Sequence, residues 1–162
     1  MYRNLFRIFA GFAAMLMVFV LFDTANGQRR RETRGRGLTK AQVKVIVKRV
    51  EDRVDNFVKN FDRSLDRSRL DGTSREDWLN KRARDLESAT DELAREFDRR
   101  DTWAENRAEL SRCLNIASDI DRNMKTYRYG SETEANWARV RYELNTLADV
   151  YNMPKVGANA YR

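Results

Sequence analysis

The side chains that can do chemistry in this chain are carboxylates, guanidiniums and a single thiol, because its 162 residues include no histidine. Histidine is the commonest general base near neutral pH and a frequent metal ligand. Its absence excludes Ser-His-Asp and Cys-His sites, c-type haem attachment and the Glu-x-x-His motifs of di-iron bundles. The sequence also has no glycine-rich phosphate loop. We therefore predict that the protein is not an enzyme and binds no cofactor.

Carboxylates are numerous, and a pair of them can still perform acid–base catalysis. The apolar pattern places nearly all of them on solvated helix faces, where acids keep ordinary pKa values. Pairs such as Asp121 and Lys125, four residues apart, are typical of a helix surface. The acids around Asp62, Asp66 and Asp71 have the composition of a calcium loop, but they lack the alternating ligand positions that Ca²⁺ requires. We expect neither a metal site nor a catalytic pair.

The single cysteine, Cys113, lies seven residues before Ile120 on an apolar helix face. A free cysteine at such a position usually behaves as a small buried hydrophobe, which is the interpretation that we favour. An unpaired cysteine in an exported protein can instead form an intermolecular disulfide, and this alternative stays open.

A basic segment precedes the helical part of the chain. Residues 28–40 have six basic side chains and one acid, whereas residues 41–162 have a net charge of only +1. Glycines and the lack of apolar periodicity predict a disordered basic arm over residues 28–38. We expect this arm to bind an anionic surface or polyanion without specific nucleic-acid recognition, and the alternative is a solubilising linker. The candidate anion-binding residues are Arg29, Arg30, Arg31, Arg34, Arg36 and Lys40.

The first 27 residues resemble a signal peptide in their organisation. Two arginines precede an apolar run over residues 8–22, which at about 15 residues is the length of a signal-peptide core. Ala25 and Gly27 are small residues at the positions that precede a cut before Gln28. We predict an exported protein, periplasmic or secreted, with no transmembrane domain after processing. The alternative is an uncleaved signal that anchors the chain in the membrane.

Four helical segments must position these residues, over about residues 38–65, 74–100, 103–128 and 132–153. Apolar residues recur in each segment at steps of three and four, and so form one heptad-like seam along each helix. The four seams are Val43, Val47, Val50, Val54, Phe57 and Phe61; Leu79, Ala83, Leu86, Thr90, Leu93 and Phe97; Trp103, Leu110, Cys113, Ala117, Ile120, Met124 and Tyr127; and Trp137, Val140, Leu144, Leu147 and Tyr151.

The starts of the four segments share one pattern, in which a hydroxyl residue is followed three positions later by Glu or Gln. This spacing predicts a capping box, where the two side chains bond each other's backbone amides. The four pairs are Thr39 and Gln42, Thr73 and Glu76, Thr102 and Glu105, and Ser131 and Glu134.

Short connections between the segments force neighbouring helices to run antiparallel. We therefore predict an all-α fold, an antiparallel up-down-up-down four-helix bundle over residues 39–153, with a flexible C-terminal tail over residues 154–162. Residues 98–102 contain neither glycine nor proline. The alternative is accordingly one continuous helix in place of helices two and three, in an extended or domain-swapped dimer.

The segment Leu38-Thr39-Lys40-Ala41-Gln42 resembles the LTxxQ motif of the Spy/CpxP group of periplasmic stress chaperones. The match covers five residues, and the chain has one copy where that family typically has two. The resemblance implies a small, exported, helical and cofactor-free chaperone.

The function that we expect is that of an exported, non-enzymatic helical bundle with a partner-binding or structural role in the cell envelope. Its partner is an unidentified protein or an anionic envelope component. A periplasmic chaperone and a polyanion binder are the two alternatives, and a homo-oligomer stays open.

Overall fold

The structure, a computed structural model, describes residues 37–158. Within this range the chain forms four α-helices and one short 3-10 helix, and it has no β-strand. The predicted signal peptide and the predicted arm up to residue 36 lie outside the described residues, as do residues 159–162. The helices are α1 (Lys40–Leu65), α2 (Ser74–Arg99), α3 (Arg107–Thr126) and α4 (Ser131–Val150), with the 3-10 helix at Trp103–Asn106.

Contacts between side chains show that consecutive helices run antiparallel. Lys44 near the start of α1 pairs with Asp98 near the end of α2 at 2.7 Å. Arg82 near the start of α2 pairs with Asp119 near the end of α3 at 2.9 Å.

Helix α4 closes the bundle against α1. Arg49 in the first half of α1 donates to Glu143 in the second half of α4 at 3.0 Å. At the opposite end, the Ser64 hydroxyl donates to the carbonyl of Tyr129, just before α4. Helix α1 packs against both α2 and α4, and α2 packs against α3, whereas α3 and α4 contact each other less than these neighbouring pairs do. The predicted up-down-up-down bundle is confirmed.

The alternative of one continuous helix in place of α2 and α3 is wrong. Helix α2 ends at Arg99, and the backbone of Arg100 is extended, with φ −89° and ψ 147°. The Arg100 guanidinium then reaches across the turn to the Glu109 carboxylate at 2.7 Å. The buried side chain of Trp103, in the 3-10 helix, holds the turn between α2 and α3 in place, although the turn contains neither glycine nor proline.

The predicted seams form the core. Every residue of the α1, α2 and α4 seams is buried. Phe57 lies at the centre of an aromatic group, with its ring centroid 4.9 Å from that of Phe61 and 5.0 Å from that of Trp137. Aromatic pairs at such distances stabilise a core beyond the area they bury. The α3 seam departs from the prediction at its end, where Met124 is only half-buried and Tyr127 is exposed because the helix stops at Thr126.

The predicted capping boxes are realised unequally. Thr73 caps α2 by accepting from the Glu76 amide at 3.3 Å, but the Glu76 carboxylate receives its hydrogen bond from Gly72, at 2.6 Å, instead of from Thr73. The Thr102 hydroxyl donates directly to the Glu105 carboxylate at 2.6 Å, and no side-chain cap forms there.

The capping box predicted at Ser131 is wrong. Ser131 is the first residue of α4, and the N-cap is Gly130, whose φ of +91° suits glycine. The Glu134 carboxylate instead accepts from the Tyr129 amide at 3.4 Å.

The C-terminal residues correct the expectation of a flexible tail for the part that the structure describes. Helix α4 ends at Val150, and Asn152 turns the chain with a φ of +51°. Val156 is then buried against the bundle, with an exposure of 3%. The tail docks here because Val156 covers apolar surface while its backbone finds hydrogen-bond partners.

Candidate functional site

The predicted anion-binding residues divide between two parts of the chain. Residues 29–36 lie outside the described range. Lys40 is the first residue of α1, and its ammonium donates to the carbonyl of Arg100 at 2.5 Å and lies 5.7 Å from the centre of the Phe97 ring. Arg100 is the C-cap residue of α2, and a cation is favourable at this end of a helix. The Lys40 side chain therefore contacts the bundle, although the charge pattern of the sequence groups it with the arginines of the arm.

A second basic region lies at the end of the bundle that holds the C-terminus of α1 and the N-terminus of α4. A surface cavity of about 440 Å³ is lined there by Arg63, Arg67 and Arg128. Among the described residues, neither Arg63 nor Arg67 has an acidic partner within 4.0 Å. Arg128 is 94% exposed and only reaches Glu134 at 3.9 Å. These guanidiniums are available to an anion in solution.

An exposed tryptophan on α2 stacks with two arginines. The guanidinium carbons of Arg75 and Arg82 lie 5.6 Å and 5.7 Å from the centre of the Trp78 ring. Arg75 also lies 5.7 Å from the ring of Tyr127, at the end of α3. Each cation–π contact at an exposed site contributes about 0.5–1 kcal/mol. The group accounts for the exposure of Trp78 without a ligand.

The most buried charged side chain among the described residues is that of Asp121, which the sequence pattern predicts to lie on the surface. Its side chain is 2% exposed. The carboxylate accepts from the Trp137 indole at 3.0 Å and from the Arg141 guanidinium at 3.1 Å. Its other oxygen pairs with the Lys125 ammonium at 2.7 Å. The expected surface pair of Asp121 and Lys125 is present, but the aspartate is buried between α3 and α4.

The pKa of Asp121 reflects two opposed effects. Burial raises the pKa of this carboxyl group, because the charged form loses water. Hydrogen bonds from Lys125 and Trp137, and the charges of Lys125 and Arg141, outweigh burial. The net pKa lies below the ordinary value of 3.8, so Asp121 is ionised at neutral pH. A fully paired carboxylate of this kind holds helices together and is poorly suited to proton transfer.

One feature of the sequence could have indicated that Asp121 is buried. It lies seven residues after Leu114, which is buried beside the α3 seam. The two residues therefore share a second face of α3, adjacent to the seam, which turns towards α4.

The cysteine has the environment of a core residue. Cys113 is fully buried and forms no disulfide. Burial raises the pKa of its thiol to about 12, so the reactive thiolate is rare at neutral pH. The prediction of a small buried hydrophobe is confirmed.

Other acids of the described chain give no sign of a reaction centre. Burial raises the pKa of Glu51 in α1, and the neighbouring Asp91 in α2 adds to this effect. Burial and the charge of Asp55 raise the pKa of Glu87 in the same way. Across residues 37–158, no three acids or thiols converge closely enough to hold a metal ion.

Comparison with known proteins gives no match, whether with a family model, a curated protein or a solved structure. The resemblance to the LTxxQ motif at residues 38–42 is therefore not extended by a match over a longer part of the chain. None of the helices in the described part of the chain combines the length and the apolar character that crossing a membrane requires.

Proposed function

We propose that the protein is an exported, non-enzymatic helical bundle that attaches to an anionic component of the cell envelope through its basic arm. The observation that carries the proposal is the distribution of charge. Residues 28–40 have six bases and one acid, and the 122 residues that follow have a net charge of +1. Positive charge gathered in a short segment attracts anionic surfaces more strongly than the same charge spread among acids.

The bundle supports this division of roles, because many of its charges neutralise one another. Lys44 pairs with Asp98 and Arg100 pairs with Glu109, both at 2.7 Å. Arg63 and Arg67, which line the cavity beside Arg128, are among the described bases without an acidic partner that add basic surface to the bundle. The bundle then acts as a stable body that the arm holds at the anionic surface.

The strength of such attachment follows from the number of charges. A basic residue near an anionic membrane contributes about 1 kcal/mol, so the five arginines of residues 29–36 give appreciable binding. The attachment weakens as salt rises, because the Debye length shortens from about 30 Å at 0.01 M to about 8 Å at 0.15 M.

Vesicle co-sedimentation of the exported chain tests the proposal. The arm variant replaces Arg29, Arg30, Arg31, Arg34 and Arg36 by Gln. The control variant replaces five exposed bases of the bundle, Lys44, Lys48, Lys81, Arg95 and Arg122, by Gln and so removes the same charge. We expect the arm variant to bind anionic vesicles at least about tenfold more weakly than the control does. Equal binding by the two variants would overturn the proposal, because position on the chain would then not matter.

A second candidate function rests on the LTxxQ segment, whose last three residues open α1. A chaperone of this kind suppresses the aggregation of unfolded client proteins. The wild-type chain and the arm variant should then protect a client equally well, since client binding needs exposed apolar surface more than charge. Protection by wild type that the arm variant loses would instead assign the effect to the arm.

A further inference from the structure

Helix α1 has a second stripe of side chains next to its apolar seam, and this stripe holds arginines and asparagines. Its members recur at steps of four and three, as the seam residues do, so they share one side of the helix. That side faces α4, because the Arg49 guanidinium donates to the Glu143 carboxylate at 3.0 Å. The basic stripe consists of Arg49, Arg53, Asn56, Asn60, Arg63 and Arg67, of which the last lies in the turn after α1.

Three surface cavities follow the basic stripe and together form a groove. Their volumes are about 410, 420 and 440 Å³. The first and second cavities are both lined by Arg53 and Asn56, and the second and third are both lined by Asn60 and Glu132. Residues 49–63 alone extend over about 21 Å at the usual helical rise. The basic groove, as we refer to these joined cavities, is therefore elongated and suits a linear polymer.

The basic groove gathers positive charge that the rest of the bundle lacks. Its lining has seven bases and three acids, and so a net charge of +4. Residues 41–162 together have a net charge of +1, so those outside the lining have a net charge of −3. An anionic ligand is therefore attracted to this face of the bundle more than to the others. The bases are the four arginines of the stripe, Lys59, Arg128 and Arg139.

Three arginines of the stripe are available to a ligand. Arg53, Arg63 and Arg67 are exposed, and within residues 37–158 they have no acidic partner closer than 4.0 Å. A guanidinium in this state can form two parallel, charge-assisted hydrogen bonds with one carboxylate. The stripe therefore offers several such positions along one line.

The amides of the groove also have hydrogen-bonding capacity that the bundle does not use. Asn136 of α4 lines the middle cavity and is only 9% exposed. Its Oδ1 accepts from Arg139 at 3.0 Å, whereas its Nδ2 has no hydrogen-bond partner in the described part of the chain. The side chain of Asn60, on the opposite wall, makes no hydrogen bond to residues 37–158. A buried donor without a partner costs free energy, which a ligand with acceptor oxygens in the groove recovers.

The order of these groups along the groove indicates the chemistry of the ligand. Arginines lie at both ends of the stripe and amides lie between them. Arginines bind anionic groups, and an amide can both donate to and accept from a hydroxyl group. The stripe therefore matches a polymer in which acidic groups are separated by hydroxyl groups.

Nucleic acid fits the groove less well. A single strand has a phosphate about every 3.4 Å, and such dense charge would meet the three acids of the lining, Asp52, Asp55 and Glu132. Proteins that bind single strands also present aromatic rings on which bases stack. The aromatic residue of the described lining is Tyr129, which is 5% exposed and packs on Phe61 with ring centroids 5.2 Å apart.

From the charge, the free amides and the length of the groove, we infer that the bundle binds an extended acidic polysaccharide along α1. The arginines of the basic stripe bind its carboxylates, and Asn60 and Asn136 bind its hydroxyl groups. The site is built from residues of the bundle alone and does not depend on the arm. Failure of the vesicle experiment would therefore leave it unaffected.

Binding of alginate, a linear polymer of uronic acids, tests the groove. All proteins carry the five arm substitutions described above, so that the arm does not contribute. The groove variant adds Arg53→Gln, Arg63→Gln and Arg67→Gln, and the control variant adds Lys81→Gln, Arg95→Gln and Arg122→Gln, which are exposed, lie outside the groove and remove the same charge.

We expect the groove variant to bind alginate at least about tenfold more weakly than the control variant does, by isothermal titration calorimetry. Circular dichroism establishes that each protein is folded. Equal binding by the two variants would overturn the site, and so would an arm-substituted parent that does not bind alginate.

Asn60→Ala tests the role of the amides without a change of charge. The substitution removes no hydrogen bond within residues 37–158, so the fold should be kept. We expect weaker binding of alginate and unchanged binding of inorganic polyphosphate, which has negative charge but no hydroxyl groups along its chain. An equal effect on both polymers would overturn the assignment to a polysaccharide. Tighter binding of oligothymidylate than of alginate at equal charge concentration would assign the groove to nucleic acid instead.

Discussion

Helix α4 faces two neighbours, and it is held to each of them by a different kind of contact. Towards α1 the contact is aromatic, with Phe57 packed between Phe61 and Trp137. Towards α3 it is ionic, with the buried carboxylate of Asp121 receiving the indole of Trp137. Trp137 takes part in both, because its ring packs towards α1 while its Nε1 donates towards α3.

This difference gives α4 two kinds of side. The permanent side packs on Phe57 of α1, and the adjustable side lies against Asp121 of α3. Apolar burial is non-directional, and its loss cannot be compensated by water. A charge cluster depends on geometry and on protonation, and its members can exchange their partners for water. The α3 side therefore combines weak helix contact, a buried ion cluster and a docked terminal segment (residues 154–157), whereas the α1 side combines close aromatic packing with the ion pair of Arg49 and Glu143.

Removing the aromatic centre should have the largest effect. Phe57→Ala is expected to lower the free energy of unfolding by about 3–5 kcal/mol, the usual cost of emptying a buried phenylalanine site. Urea denaturation followed by circular dichroism measures this. Val45→Ala on the same helix, where the side chain is exposed, is the control and should cost less than about 0.5 kcal/mol. A small loss for Phe57→Ala would remove the distinction between the two sides of α4.

Neutralising the buried acid should have the next largest effect. Asp121→Asn keeps the size of the side chain but loses its charged hydrogen bonds, which is expected to cost about 1.5–3 kcal/mol. The control is Asp98→Asn, whose exposed pair with Lys44 is worth at most about 1 kcal/mol. Equal losses in the two variants would show that Asp121 behaves as a surface residue.

The pH dependence sharpens this prediction. The pKa of Asp121 in the folded protein lies below its ordinary value of 3.8. Its stabilising contribution is therefore complete above that value and is lost as the pH falls through the lower pKa of the folded state. The difference in unfolding free energy between wild type and Asp121→Asn should shrink over that acidic range. A difference that stays constant down to pH 2 would contradict the ionised, paired state.

Filling the space at Gly157 should have a smaller effect. Gly157→Ala combines a left-handed backbone with a contact of 2.9 Å to Asp121, and we expect a loss of about 1–2 kcal/mol. Gly72→Ala has a similar φ of +72° but meets nothing within 4 Å, so it measures the backbone strain alone. The loss of unfolding free energy in Gly157→Ala beyond that in Gly72→Ala measures how closely the segment lies against Asp121. No excess would mean that the segment shifts freely.

Chemical labelling of the cysteine should show no effect at all in the native state. Cys113 is fully buried and the pKa of its thiol is raised to about 12, so a thiol reagent should react only after denaturation. Fast labelling of the native protein would show that the α3 side opens far enough to expose the core.

The permanent side could be predicted from the sequence, because its contacts follow from spacing. Val43 to Phe61 recur at steps of three and four, and burial of such a seam needs no knowledge of its partners. The same rule identified the whole α2 seam, including the polar Thr90, which bonds its own helix at the Glu87 carbonyl at 2.9 Å.

Apart from the seven-residue spacing of Asp121 from Leu114, nothing in the sequence predicts the adjustable side, because its contacts join residues that no local pattern relates. Asp121 is buried by partners 16 and 20 residues later in the chain, and its i,i+4 pair with Lys125 resembles any surface pair. Val156 lies in a short tail whose apolar residues show no helical periodicity. Charge alone groups Lys40 with the arm. Its contact with the C-terminal end of α2 depends on where that helix ends in space, which the sequence pattern does not give.

The division of α4 into two sides is tested most directly by native-state hydrogen exchange of two backbone amides. The Val156 amide, held by Asn145 Oδ1, should exchange through local opening, at a free energy well below that of global unfolding. The Phe57 amide, within α1, should exchange only when the whole bundle unfolds. Equal protection of the two amides would contradict the account, and so would a Val156 amide that exchanges as fast as an unprotected peptide, since the segment would then not be docked.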